Sequence, residues 1–129
     1  MTKLGKLTPG AALLGLALVS TTQQSIALDE VTNFGSNPGE LEAYIHKPAN
    51  AQPDMPLVVA MHGCTQNAES FARETGLISL SEETPFLLLL PQQKSENMER
   101  LCFRWHDSGD NRPGRGESAS LLQIIETVI

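Results

Sequence analysis

Leu57-Val58-Val59-Ala60-Met61 is an unbroken apolar run with adjacent β-branched side chains, and it stops abruptly at His62-Gly63. A run this short reads as a strand, and a strand without polar alternation is one covered on both faces, as in a parallel sheet. Parallel strands are joined by crossovers, so this run commits the chain to an α/β architecture with helices laid on the sheet. Phe86 to Leu90 is a second run of the same kind, stopped by Pro91. Between the two, Phe71, Leu77, Ile78 and Leu80 or Ser81 mark one loosely amphipathic helix, capped by Asn67 and ended by Pro85.

The flanking segments are simpler. Leu41, Ala43 and Ile45 alternate with Glu42, Tyr44 and His46, the period of a strand with one buried side, which puts His46 on the polar side. Asp29 to Gly39 is polar and rich in turn formers (Gly35, Asn37, Pro38, Gly39), so the fold proper is expected to begin at Leu41. Lys47 to Pro56, with three prolines, is a loop. Gln92 to Gly116 is a long polar loop whose Phe103 and Trp105 favour order. In Glu117 to Ile129, Leu121, Leu122, Ile124, Ile125 and Val128 fall at helical spacing. The order strand, strand, helix, strand, loop, helix implies a βαβ unit, in a sheet that expects another strand after Ile129.

Met1 to Ala27 has the layout of a secretory signal. Lys3 and Lys6 lead, an apolar run spans Ala11 to Val19, and Ser25-Ile26-Ala27 is a small-x-small cleavage site. The run is about half of the roughly 20 residues a membrane-spanning helix needs, so no membrane association is expected after cleavage. Residues 28–129 are then a single exported unit, secreted or periplasmic. The net charge, minus six for the whole chain and minus eight once Lys3 and Lys6 leave, argues against nucleic acid as a partner. Cys64 and Cys102 both lie in the mature part. In an oxidising compartment they are expected to form a disulfide, the alternative being two unpaired buried thiols.

His62-Gly63-Cys64-Thr65-Gln66 follows the first apolar strand directly, which aims backbone N–H groups at the carboxyl end of a parallel strand, where open α/β sheets bind ligands. Such donors can face an oxyanion that develops during acyl transfer. A plain structural turn accounts for His-Gly after a strand equally well.

The whole stretch from Pro56 to Asn67, however, resembles the oxyanion strand of the polyhydroxybutyrate depolymerase and feruloyl esterase family. Three further stretches are similar to that family's pattern, in the same order. They are Asn37-Pro38-Gly39, then Leu89-Leu90-Pro91-Gln92-Gln93, then Cys102-Phe103-Arg104-Trp105 followed by Arg115-Gly116-Glu117-Ser118-Ala119-Ser120.

The resemblance implies an α/β-hydrolase fold, truncated to the first strands and helices before the nucleophile strand. It implies carboxylic ester hydrolysis by a serine nucleophile, with the Cys64 backbone N–H as an oxyanion donor and His62 and Gly63 shaping the turn. Gln66 and Trp105 are the candidate substrate contacts, although Trp105 serves equally well as a pin for its loop. The implied partner is an ester substrate, either a polyester or a plant cell-wall feruloyl or acetyl ester, with no metal or organic cofactor.

In such enzymes the serine sits on a Gly-x-Ser-x-Gly turn after a later strand, followed by the acid and the histidine. All three are therefore expected beyond Ile129, leaving the chain inactive alone. Gly116-Glu117-Ser118-Ala119-Ser120 is one residue from that motif, but no apolar strand precedes it, so Ser118 reads as a helix-capping serine. His106 reads as a solvated loop residue. The alternative function is a non-catalytic exported binding protein derived from the same fold.

Overall fold

The computed structural model describes residues 28–129, so the leader assigned to Met1 to Ala27 lies outside the described residues. Four strands form one mixed sheet: β1 (Asp29–Glu30), β2 (Glu42–His46), β3 (Leu57–Val59) and β4 (Leu87–Gln92), in the order β1-β2-β4-β3. β1 and β4 run antiparallel to β2, while β3 and β4 are parallel. Helices α1 (Ala68–Glu74) and α2 (Leu77–Glu83) make the crossover from β3 to β4, and α3 (Gly116–Val128) follows the long loop. The α/β class and the βαβ unit expected from the two apolar runs are those the chain adopts.

β4 is apolar on both faces because it is covered on both. Leu89 joins Ala43, Ile45, Phe103 and Ile124 in a core beneath α3. Leu88 and Leu90, which point the other way, pack with Ala68, Ala72 and Phe86 under α1 and α2. Each fully buried leucine contributes roughly 2 kcal/mol by removal from water. β3 is covered less completely: it pairs with β4 alone among the described residues, Val59 is 38% exposed and Met61 39%. The expectation of a strand buried throughout from Leu57 to Met61 is corrected to a three-residue edge strand.

Four other expectations change. The fold begins before Leu41, because Asp29–Glu30 pairs with β2 and Val31 and Phe34 enter the core. Two polar residues carry no strand periodicity, so β1 left no pattern to read. The single helix is two. Asn67 caps α1 through its side chain, which accepts from the Ser70 N–H at 2.8 Å, but Gly76, at φ 71°, breaks the helical path and starts α2. His46 is buried, not on a solvated side, and its Nε2 meets Glu82 Oε1 at 2.9 Å.

Pro91, finally, lies inside β4 instead of stopping it. The Ala60 N–H donates to Leu89 O, so Leu89, Pro91 and Gln93 turn their backbone groups toward β3. β3 has already ended there, so the absent N–H of proline costs no ladder bond.

The long loop and α3 are locked to the start of the fold by Asn37-Pro38-Gly39. The Asn37 side chain accepts from the Leu41 N–H (3.0 Å) and donates to Leu41 O (2.8 Å), and the Gly39 N–H donates to the buried Ser120 Oγ at 2.8 Å. A Cβ on Gly39 would stand 2.6 Å from Glu117 Cα and 2.7 Å from Glu117 N, both backbone atoms that have no rotamer to retreat into. Gly39→Ala is therefore expected to lower the unfolding free energy by about 2 to 3 kcal/mol, as overpacking does. Urea unfolding of the purified chain measures it; a loss under about 0.5 kcal/mol, the size of an ordinary surface change, would show that α3 shifts without strain.

Candidate active site

β3 delivers the chain into a tight turn from Gly63 to Gln66, closed by the Gln66 N–H donating to Gly63 O at 3.2 Å. Thr65, at the third position, has φ 64°, the positive value a type II turn requires there. For a β-branched residue this is a strained conformation. It is held by the Thr65 N–H, which donates to Arg100 O at 2.7 Å.

Three successive backbone N–H groups leave the strand end, and they differ in what they bind. Gly63 N–H donates to Gln66 Oε1 at 2.9 Å, and Thr65 N–H is taken by Arg100 O. The Cys64 N–H, between them, has no acceptor among the described residues, and Cys64 itself is exposed. This places one free donor at the carboxyl end of a parallel strand, on a turn whose other donors are occupied. A partner oxygen carrying developing negative charge is what such a donor can receive.

His62 is 4% exposed and works within the turn. Its Nε2 accepts the Gln93 N–H at 3.1 Å, the donor that β4 could not pair once β3 had ended. The accepting Nε2 carries no hydrogen, so Nδ1 carries it and donates to Gly63 O at 2.8 Å. The ring also lies against Phe103, centroids 5.0 Å apart. With both nitrogens engaged, the histidine is a pin for the strand end.

Cys64 and Cys102 are joined by a disulfide, tying the turn to the loop after β4. That loop is held in turn by charge. The Arg104 guanidinium meets Asp110 at 3.0 Å, and Glu117 on the first turn of α3 accepts from the Arg104 N–H (2.7 Å) and from the Gln93 side-chain amide (2.5 Å). Burial pushes the Glu117 carboxyl above the usual carboxylate range, against the opposing effect of the Arg104 N–H and the Gln93 amide. The sequence assigns no role to Glu117, which stands there only as a member of the Arg115 to Ser120 stretch and as an acidic residue at a helix start.

Of the other residues singled out, Gln66 is engaged inside the turn, its Oε1 on Gly63 and its Nε2 3.4 Å from Glu74. Trp105 is 77% exposed and stacks edge-on with the exposed His106. Ser118 lies in the first turn of α3, and its hydroxyl donates to Asp110 O at 2.7 Å. No strand presents it.

Next to the turn, over the end of β4, a cavity of about 530 Å³ lies between Glu42 and Tyr44 of β2 and Asn67 and Glu69 at the start of α1. Gln92 and Gln93 form part of its wall, whereas Cys64, Gln66 and Trp105 do not. Among the described residues no group of three or more His, Cys, Asp or Glu converges as a metal site would require.

Residues 41–129 match the family model described as Esterase PHB depolymerase. The chain is 37% identical to poly(3-hydroxyalkanoate) depolymerase C of Paucimonas lemoignei, over 88% of this chain and 27% of that protein. It is 32% identical to feruloyl esterase B of Neurospora crassa, over 91% of this chain and 39% of that protein. A solved acetyl xylan esterase from Aspergillus awamori aligns with 50% of this chain and 24% of its own, at 34% identity and a TM-score of 0.47. The chain thus spans between about a quarter and two fifths of the length of these relatives.

Proposed function

This chain belongs to the esterase PHB depolymerase family, and we propose that it forms the oxyanion-turn part of an exported serine esterase acting on polyhydroxyalkanoate or on feruloyl or acetyl esters. The observation that carries this reading is the Cys64 N–H, free of any acceptor among the described residues while the N–H groups on either side of it are bound.

A serine hydroxyl attacking an ester carbonyl turns the carbonyl oxygen into an oxyanion. The Cys64 N–H is the donor that would face that oxygen, while His62 and Gly63 hold the turn in place. Gln66 keeps the turn closed; exposed Trp105 offers an aromatic face to an apolar substrate. The depolymerase and feruloyl esterase names of the relatives support the two substrate classes. Export is supported by the leader layout of Met1 to Ala27 and by the disulfide.

The nucleophile, acid and base belong to a segment following Ile129. β3 supports this, because its outer edge has no strand partner among the described residues and the next strand would seat the nucleophile turn beside Cys64.

The test begins with the coding sequence downstream of Ile129, which is expected to encode an apolar strand and then Gly-x-Ser-x-Gly within about 20 residues. The complete polypeptide is expected to hydrolyse p-nitrophenyl acetate and to be labelled on that serine by a fluorophosphonate. The 129-residue chain alone is expected to do neither, with Ser118→Ala changing nothing. Hydrolysis by the 129-residue chain that Ser118→Ala abolishes, or a complete polypeptide that hydrolyses no ester, overturns the proposal.

A further inference from the structure

We propose that Glu117 is a positioning residue for the oxyanion turn, a buried bridge whose two carboxylate oxygens hold two arms that converge on Cys64. This rests on the esterase reading for its catalytic meaning, and on geometry alone for the coupling.

The first arm runs through the backbone just past the end of β4. Glu117 Oε1 accepts from Gln93 Nε2, the Gln93 N–H donates to His62 Nε2, and His62 Nδ1–H donates to Gly63 O, the residue before Cys64. The second arm runs through the loop. Glu117 Oε2 accepts from the Arg104 N–H, the backbone leads from Arg104 through Phe103 to Cys102, and Cys102 is bonded to Cys64; the Gln93 amide of the first arm also donates to Cys102 O (3.3 Å) and ties the two together. Every polar relay in the first arm is out of water: Glu117 is 4% exposed, Gln93 1% and His62 4%.

An acidic residue in the first turn of a helix ordinarily serves that helix, by facing its free N–H groups. The Glu117 carboxylate instead faces β4 and the loop, and neither of its oxygens accepts from an N–H of α3. Burying a carboxylate is costly, and apolar replacements are often neutral or stabilising for a fold. A carboxylate kept here with both oxygens assigned to different segments is better explained by what it orients than by what it stabilises. The Arg104 guanidinium, with Nε 3.7 Å from Oε1, supplies the compensating charge.

The test uses exchange of side chains across the bridge. In Glu117→Gln the new amide group offers one acceptor where two donors arrive, so either Gln93 or the Arg104 N–H is left facing another donor. Combining it with Gln93→Glu restores that contact with its polarity reversed and leaves acceptors for the Lys94 N–H and the Asn97 amide, which donate to the Gln93 side chain, but it gives up the donation to Cys102 O.

In the 129-residue chain, reduction of Cys64–Cys102 by dithiothreitol under native conditions is expected to be about tenfold faster in Glu117→Gln. The ¹⁵N signature of a His62 ring protonated on Nδ1 should weaken with it. The His62 signature should return most of the way in the Gln93→Glu, Glu117→Gln double variant, whereas the reduction rate should return only in part, because Cys102 O has lost its donor. Ser118→Ala, on the same turn of α3, is the control for a general loss of stability and is expected to leave the His62 signature unchanged. In the complete esterase, Glu117→Gln is expected to lower kcat about tenfold at unchanged KM.

A reduction rate within twofold of wild type, a His62 signature that the double variant does not restore, or an equal response in Ser118→Ala would overturn the proposal. So would a Glu117→Gln chain that fails to fold, since Glu117 would then be a determinant of the fold. An inactive wild-type complete polypeptide would instead sink the esterase reading, and the reduction and NMR results would still decide the coupling.

Discussion

In the complete polypeptide proposed to be an esterase, Cys64→Pro is expected to turn over ester about 100 to 1,000 times more slowly than Cys64→Ala, a difference of roughly 3 to 4 kcal/mol in barrier height. Both variants lose the disulfide, so their ratio isolates the backbone N–H. The comparison is clean because Cys64 is the second residue of the Gly63 to Gln66 turn, and proline is favoured there in a type II turn. Gly63, which precedes it, tolerates the restriction that proline imposes on its neighbour. The loss should fall on kcat with KM little changed, the pattern of an interaction made only in the transition state. A ratio below about three would show that the Cys64 N–H does not meet the oxyanion. No other N–H of the turn is ready to replace it, since those of Gly63, Thr65 and Gln66 are all bonded.

Cys102→Ala is expected to lower the unfolding free energy by about 4 kcal/mol, the loop-closure entropy for a cross-link over 38 residues. That is a large share of the roughly 5 to 15 kcal/mol that holds a domain folded. The bridge matters more here because the segment it closes ends in a long loop, with no helix or strand between Gln92 and Gly116. The measurement is urea unfolding of the oxidised chain, of the chain in excess dithiothreitol and of the variant. The last two should coincide. A loss below about 1 kcal/mol in both would mean that the hydrogen bonds from the Thr65 N–H to Arg100 O and from the Arg104 N–H to the Glu117 carboxylate order the loop without the cross-link.

Much of the fold was open to a reading by period. The alternation from Leu41 to Ile45, the two apolar runs, the Asn67 cap and the stripe on α3 are local signals, each set by what neighbouring residues do to the same few turns of chain. Pro91 misled for the same reason. Its penalty inside a strand depends on which side its missing N–H faces, and that is decided by where β3 stops, some thirty positions earlier. His46 shows the converse: alternation put it on the open side, but α2 brings Glu82 against it and closes that side. β1 left no trace because two exposed residues gain strand geometry only from the partner they pair with.

By itself, then, the amino-acid sequence determined the α/β class, a strand that begins at Leu57 and the family to which this turn belongs. Those follow from side-chain period and from ordered short motifs, which survive without any knowledge of contacts. Which N–H of the turn stays free, what His62 is bonded to, and why a glutamate is buried at the start of α3 were decided by tertiary structure alone. The physical reason is that each depends on donors and acceptors meeting across the fold. Gln93 needs His62 only because β3 has ended, Glu117 can reach Gln93 only because α3 packs over Leu89, and Cys64 keeps its N–H free only because Gln66 and Arg100 have taken the acceptor roles beside it.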